Sequence, residues 1–354
     1  MKLTTDVLRK RAATHSLFTV ASIVDAVTRL GIVQADPIQA PARAQDLILR
    51  QRIEGYRVGD LERGYKDAGL DEDVLQCYGT MPSAHVSLML PRPRVWHIER
   101  EHPALAEQIL AFVQRNGHTS HRDLEQHFGS ARTRGGWGTQ AKVTTLMLDL
   151  LHHRGHLRVA HRQGNERFYV IAEREATILS ADERLRKLVL LLVNLYAPVS
   201  LPTARRLVSH LGYAAPTLDG RLTIVKRMVE SGELATATVD GVPYFWPSNA
   251  PFDRRVDGEV RLLAPFDPVV HDRERFEHLW GWPYRFEAYT PPVKRKWGYY
   301  ALPMLWRDRV VGWANVTVRE GHMQAEVGFV AGRPAERGFG KALARELARM
   351  EAFL

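Results

Sequence analysis

Apolar residues recur at intervals of three and four along residues 20–30. Val20, Ile23, Val24, Val27 and Leu30 line one face of an amphipathic helix, and Gly31 stops it. A basic helix over residues 5–16 precedes it. A short extended segment follows, Ile32-Val33-Gln34-Ala35-Asp36-Pro37. Side chains alternate along extended chain, so Val33 and Ala35 point one way and Gln34 and Asp36 the other. Pro37 biases Asp36 toward extended backbone.

The same pattern returns twice. Residues 104–115 carry Ala104, Leu105, Ile109, Leu110, Phe112 and Val113 at helical spacing, and Ser120 is an N-cap for a short second helix. Thr139 to Arg154 is a third helix, with the Gly135-Gly136-Trp137-Gly138 run as the turn into it. Two strands, 156–160 and 167–170, join across Gly164-Asn165. Further on, helices run over 182–196, from Ser200-Leu201-Pro202, and over 217–231. A hairpin then turns at Asp240-Gly241. Three helices and a two-stranded wing make a winged-helix module. Helix, glycine and extended chain recur at Gly31, Gly155 and Gly232. That repetition places Gln34 and Asp36 on the first wing strand of a first module, which carries an insert from Ile38 to about Pro91. After a linker at Ser248–Pro251, strands alternate over 259–263, 297–305, 309–318 and 322–330. Helices run over 272–280 and 335–354. The expected fold is mainly α with small β wings, an α+β chain of three tandem winged-helix modules plus a small C-terminal α+β domain. The boundaries fall at residues 1–100, 101–178, 179–250 and 251–354.

Charge narrows the partner. Lys and Arg number 49 against 40 Asp and Glu, a surplus that suits a polyanion such as nucleic acid. Cys77 is the single cysteine, so no disulfide within the chain and no cysteine-based zinc site forms. The N-terminus lacks the apolar run of a signal peptide. The longest apolar stretch, Leu188 to Val193, is too short to span a bilayer. We expect a cytoplasmic monomer without cofactor or metal. The histidines crowding residues 102–161, including His118, His121, His152 and His153, read as polar faces of DNA-binding helices. By pattern alone, Gln34 and Asp36 are either a solvated strand face or a pair that holds and activates one water.

Three stretches carry a resemblance. They are Gly31 to Ile38 with Ala42-Arg43-Ala44-Gln45-Asp46-Leu47, then Leu263 to Arg273, then Tyr284 to Pro303. In order and spacing the chain resembles the winged-helix DNA glycosylases of the YcaQ/AlkZ type, which remove alkylated purines and unhook interstrand crosslinks. The resemblance implies a concave DNA-binding face and a Gln-x-Asp catalytic element at Gln34 and Asp36. Many members also carry a Trp-x-His element. Here that region reads Gln76-Cys77-Tyr78 through His85, so no such role is mapped onto Tyr78 or His85.

An N7- or N3-alkylated purine is already cationic before the glycosidic bond breaks, so the base needs little acid help to leave. The developing sugar cation needs negative charge, and a water needs aiming and deprotonating. Asp36 suits both tasks and Gln34 positions. With no lysine nucleophile evident beside the pair, a hydrolytic, monofunctional glycosylase acting on double-stranded DNA is expected. Phosphate contacts are expected from Arg43, Arg50, Arg52, Arg92 and Arg94. Lys294 and Arg295, with Lys296, either meet the DNA backbone or pin Glu287. Two other readings stand beside the enzyme: a winged-helix transcription regulator, and a protein-interaction scaffold that leaves the basic surplus unexplained.

Overall fold

The computed structural model describes residues 3–64, 69–135, 139–174, 177–250 and 256–354. Residues 136–138 of the glycine run and Pro251 of the expected linker lie outside the described residues. The chain is mixed helix and sheet, 41% helical and 22% strand, so helices outweigh strands as the sequence pattern indicates.

The first segment contains α1 (Thr5–Ser16), α2 (Ile23–Leu30), β1 (Val33–Gln34), α3 (Ala44–Leu49), α4 (Asp60–Arg63), β2 (Leu70–Val74), β3 (Tyr78–Pro82) and α5 (Ser83–Met89). After α6 (His97–Glu101) come α7 (Leu105–Asn116), β4 (Thr119–Ser120), α8 (His121–Phe128), β5 (Arg132–Arg134), β6 (Gln140–Lys142), α9 (Val143–His153), β7 (Leu157–Gln163) and β8 (Glu166–Ile171). The third segment is α10 (Ala181–Leu195), β9 (Val199–Ser200), α11 (Leu201–Ala214), α12 (Ile224–Glu230), β10 (Leu234–Val239) and β11 (Val242–Pro247). Each segment closes a three-stranded sheet of one topology: β1-β3-β2, β4-β8-β7 and β9-β11-β10. In each, a two-residue strand following a helix (α2, α7 or α10) pairs antiparallel with the second strand of a hairpin.

This topology corrects the expected place of Gln34 and Asp36. Strand β1 is not a wing strand. Its counterparts are Thr119-Ser120 and Val199-Ser200, not the strands after Gly155 and Gly232. Nor is 38–91 an insert, since it holds α3, α4 and the hairpin that pairs with β1. The local signal misled for a physical reason. Gly31, Gly155 and Gly232 all have positive φ, 84°, 78° and 78°, and so each ends a helix. A helix stop does not say which helix of the module has ended.

In the sister segments the short strand runs straight into the next helix, with Ser120 and Ser200 at its N-cap. In the first segment residues 35–43 intervene before α3, and Asp36 caps no helix.

The C-terminal segment is a four-stranded antiparallel sheet ordered β12 (Val260–Leu262), β13 (Leu302–Trp306), β14 (Arg309–Arg319), β15 (His322–Phe329), with α15 (Phe339–Phe353) packed against β12. Helices α13 (Pro268–His271) and α14 (Arg273–Trp280) lie between β12 and β13. The strand expected from Trp297 begins only at Leu302. The chain before it wraps around Glu287, whose carboxylate accepts the backbone N–H groups of Lys296, Trp297 and Gly298 at 2.7–3.2 Å.

One large core joins the first, third and C-terminal segments, through Leu30, Val33, Leu188, Leu192, Leu302 and Trp306. The second segment buries its own cluster around Ile109, Leu124, Met147 and Tyr169. It is therefore fastened by polar contacts. Strand β2 presents three consecutive buried acids, and each meets an arginine. Asp71 pairs with Arg174 at 2.6 Å, Glu72 with Arg162 at 2.5 Å and Asp73 with Arg92 at 2.9 Å.

Arg52 plays a comparable part between the first and C-terminal segments. All five of its N–H donors are used, on Ser16 O, Ser16 Oγ, Ile48 O and both Asp267 oxygens at 2.7–3.2 Å. The pair is fully buried, and removing one partner of such a pair strands the other charge. Asp267→Ala is expected to lower unfolding free energy by about 3–5 kcal/mol in a denaturant titration. A loss under about 1 kcal/mol would show that Arg52 finds water in the folded chain.

Candidate active site

Strand β1 is seated by close backbone approach. Gln34 lies opposite Gly79 on β3, where a Cβ would come within 2.3 Å of Val33 O. Beyond the strand, the Ala35 N–H still reaches Tyr78 O at 3.0 Å, carrying the extended chain on to Asp36. Asp36 is then fixed from two sides. Its backbone N–H donates to Gln45 Oε1 at 3.2 Å, and its Oδ1 accepts the Ile38 N–H at 2.9 Å.

Asp36 is half-buried and lines a cleft of about 390 Å³ with Ala35, Pro37, Arg43, Gln45 and Tyr78. The remaining lining residues, Arg162, Asn165 and Arg167, belong to the β7–β8 hairpin of the second segment. Burial raises the Asp36 pKa from its ordinary value, and the Ile38 hydrogen bond partly opposes it. The carboxylate thus gains proton affinity, as a general base requires. Gln34 does not line that cleft; its Oε1 is buried without a hydrogen-bond partner.

The arginines of the cleft are held in place. Arg43 forms an ion pair with Glu62 and donates to Asn165 Oδ1 at 2.9 Å, linking the first segment to the hairpin tip. Arg162 donates to both Glu72 oxygens at 2.5–2.6 Å. Arg167 pairs with Asp149 at 2.9 Å and lies 5.7 Å from the Tyr78 ring centroid and 5.4 Å from that of Tyr169. Tyr78 in turn donates its hydroxyl to Glu72 Oε2 at 2.6 Å.

The other residues expected to contact DNA divide into two groups. Arg50, Arg52 and Arg92 are buried in ion pairs with Glu346, Asp267 and Asp73. Arg92 also donates to Ala214 O and His153 O, both at 2.6 Å. All three side chains are committed to internal ion pairs rather than held free for a phosphate, which corrects the charge-based expectation. Arg94 and Lys294 are exposed. Arg295 is half-buried, donating to Thr290 O at 2.8 Å with its guanidinium over Tyr299. Glu287 is pinned by backbone, so the Lys294 and Lys296 side chains stay exposed.

The histidine expectation also changes. His152 and His153 are buried at the seam with the first segment, and His152 Nε2 lies 2.8 Å from Glu72 O. Burial, aided by Arg92, lowers the His153 pKa to about 4. His85 sits under the end of α2, with Nδ1 2.9 Å from Gly31 O, and does not line the Asp36 cleft.

Residue patterns missed Gln45, Tyr78, Arg162, Asn165 and Arg167 as members of the site. Asn165 read only as a hairpin turn, and nothing local in sequence places that turn against Asp36. Glu72→Ala is expected to free Arg162 and loosen the hairpin. Amide exchange over 157–171 should quicken well before that of α10. Unchanged protection would mean the Arg43–Asn165 link suffices.

No solved structure matches the chain. A family model described as DNA glycosylase AlkZ-like matches residues 27–353, which include the Asp36 cleft, all three sheets of shared topology and the C-terminal sheet. That match favours the enzyme over the two binding-only readings. The chain belongs to the AlkZ-like DNA glycosylase family, and DNA is its substrate.

Proposed function

We propose that the protein is a monofunctional glycosylase that hydrolyses the N-glycosidic bond of N7- and N3-alkylated purines in duplex DNA and unhooks crosslinks formed through such positions. The observation that carries this reading is a half-buried carboxylate, Asp36, held by the Gln45 side chain and the Ile38 N–H in a cleft whose wall includes Arg43, Arg162 and Arg167. The helix, strand, helix, helix and hairpin order of the three segments supports reading each as a winged helix.

Arginines suit the flanking phosphates, and the carboxylate suits the sugar. As the C1′–N bond breaks, its electron pair neutralises the cationic base and positive charge grows on the sugar. Ionised Asp36 stabilises that charge. It also takes a proton from the water whose oxygen bonds to C1′. The cleft lining offers no amine among the described residues, which supports water as the nucleophile. An open cleft between two segments suits a base that cannot leave the duplex fully because it is tethered to the other strand. Arg94, Lys294 and Arg295 remain proposed backbone contacts, with Arg43 and Arg167 nearer the reacting nucleotide.

The test is release of free base from duplex DNA holding a single N7-methylguanine, with a crosslinked duplex alongside. The wild-type protein should release the base, leave the strand uncut and form no adduct on borohydride treatment. Asp36→Asn should slow release by about 10²–10⁴-fold without weakening duplex binding. Full activity in that variant would end the assignment.

A further inference from the structure

Gln45 both touches Asp36 and lines its cleft, with Oε1 accepting the Asp36 backbone N–H at 3.2 Å. A backbone N–H can only donate, so the amide oxygen must be the end that meets it, and the NH₂ group is the end left over. That contact fixes which way round the amide sits, although its two ends are nearly alike in shape. Nε2 hangs from the same carbon as Oε1 and therefore lies beside Asp36. Among the described residues it donates to no protein group. The element that carries Gln45 is firmly seated. Next to it on α3, Asp46 accepts the Tyr56 hydroxyl at 2.7 Å and the Gly59 N–H at 3.1 Å, and Leu47, Ile48 and Leu49 are buried in the large core. The carboxylate is oriented as well. Oδ1 accepts the Ile38 N–H across Pro37, and among the described residues Oδ2 accepts no protein hydrogen bond.

We propose that Gln45 is a positioning residue of the active site, donating from Nε2 to the water that Asp36 activates. This is the task expected of Gln34, which does not line the cleft. Asp36 Oδ2 accepts one hydrogen of that water. One lone pair of the water oxygen accepts from Gln45, and the other is left for C1′. When the oxygen bonds to C1′, Oδ2 takes the proton, the C1′–N electron pair leaves with the base, and Gln45 keeps both its hydrogens. An amide is neutral, so it aims the water without cancelling the negative charge that the sugar cation needs. A cation in its place would lower the proton affinity of Asp36. The inference rests on Asp36 being the base.

Gln45→Glu separates aiming a water from merely seating Asp36, because it keeps an oxygen for the Asp36 N–H and loses the donor. Gln45→Met, of similar volume, loses both. Thermal midpoint and single-turnover release of N7-methylguanine at saturating protein, across pH, are measured for the wild type, both variants and Asp36→Asn. For Gln45→Glu the expected result is an unchanged midpoint and a plateau rate about tenfold slower. An added negative charge would by itself favour the sugar cation, so slowing reports the lost donor. The acid limb of Gln45→Glu should move to higher pH, because a second carboxylate beside Asp36 opposes its ionisation. Gln45→Met should be slowed at least as much. A wild-type plateau in either variant overturns the inference, as does slowing that comes with a lowered midpoint in both. An acid limb that stays in place in Gln45→Glu also overturns it, since residue 45 would then lie too far from the working carboxylate. If Asp36→Asn keeps full activity, the underlying assignment fails. If Asp36→Asn is inactive and both Gln45 variants release base at the wild-type rate, only the role of Gln45 fails.

Discussion

The acidic run Asp71-Glu72-Asp73 on β2 is the constraint on which the site depends. Three carboxylates side by side in a buried strand repel one another unless each is paired, and each is paired with an arginine outside its own strand. Arg162 and Arg174 come from the second segment, and Arg92 from the chain leading to it. Because the second segment keeps a separate apolar core, these pairs decide how it sits on the first. Breaking one costs more than its net attraction, since the remaining charge stays buried in the seam. Rigid placement of the β7–β8 hairpin follows, and with it the far wall of the Asp36 cleft.

The same economy of charge explains the arginines. A basic surplus invites the assumption that arginines face DNA, yet several of the most buried side chains in the chain are arginines: Arg11, Arg52, Arg92 and Arg275. Their planar, multidentate heads satisfy carbonyls and carboxylates where segments meet. The cations that stay exposed lie on loops, such as Arg94 and Lys294, and on helix faces, such as Arg205 and Lys226.

Helices, hairpins and the family were legible in the sequence, because amphipathic spacing and turn chemistry are local. Ser120 caps its helix through Asp123, and Asp240-Gly241 turns its hairpin, as the residues indicate. Strand pairing was not legible. Gly31, Gly155 and Gly232 are alike locally, and only the partner of β1 shows that Gln34 lies on the short edge strand that precedes the hairpin, with Asp36 just beyond it. Nor was the identity of the wall residues legible, since Asn165 lies 122 positions from Arg43, to which it bonds.

The central claim is that ionised Asp36 drives hydrolysis. The pH dependence of single-turnover base release, on duplex saturated with protein, tests it most directly. Burial raises the folded-state pKa, so activity should be lost as pH falls through a value above the ordinary aspartate pKa of about 3.9. Asp36→Asn should lose this limb together with the rate. An acid limb that persists unchanged in Asp36→Asn would contradict the account.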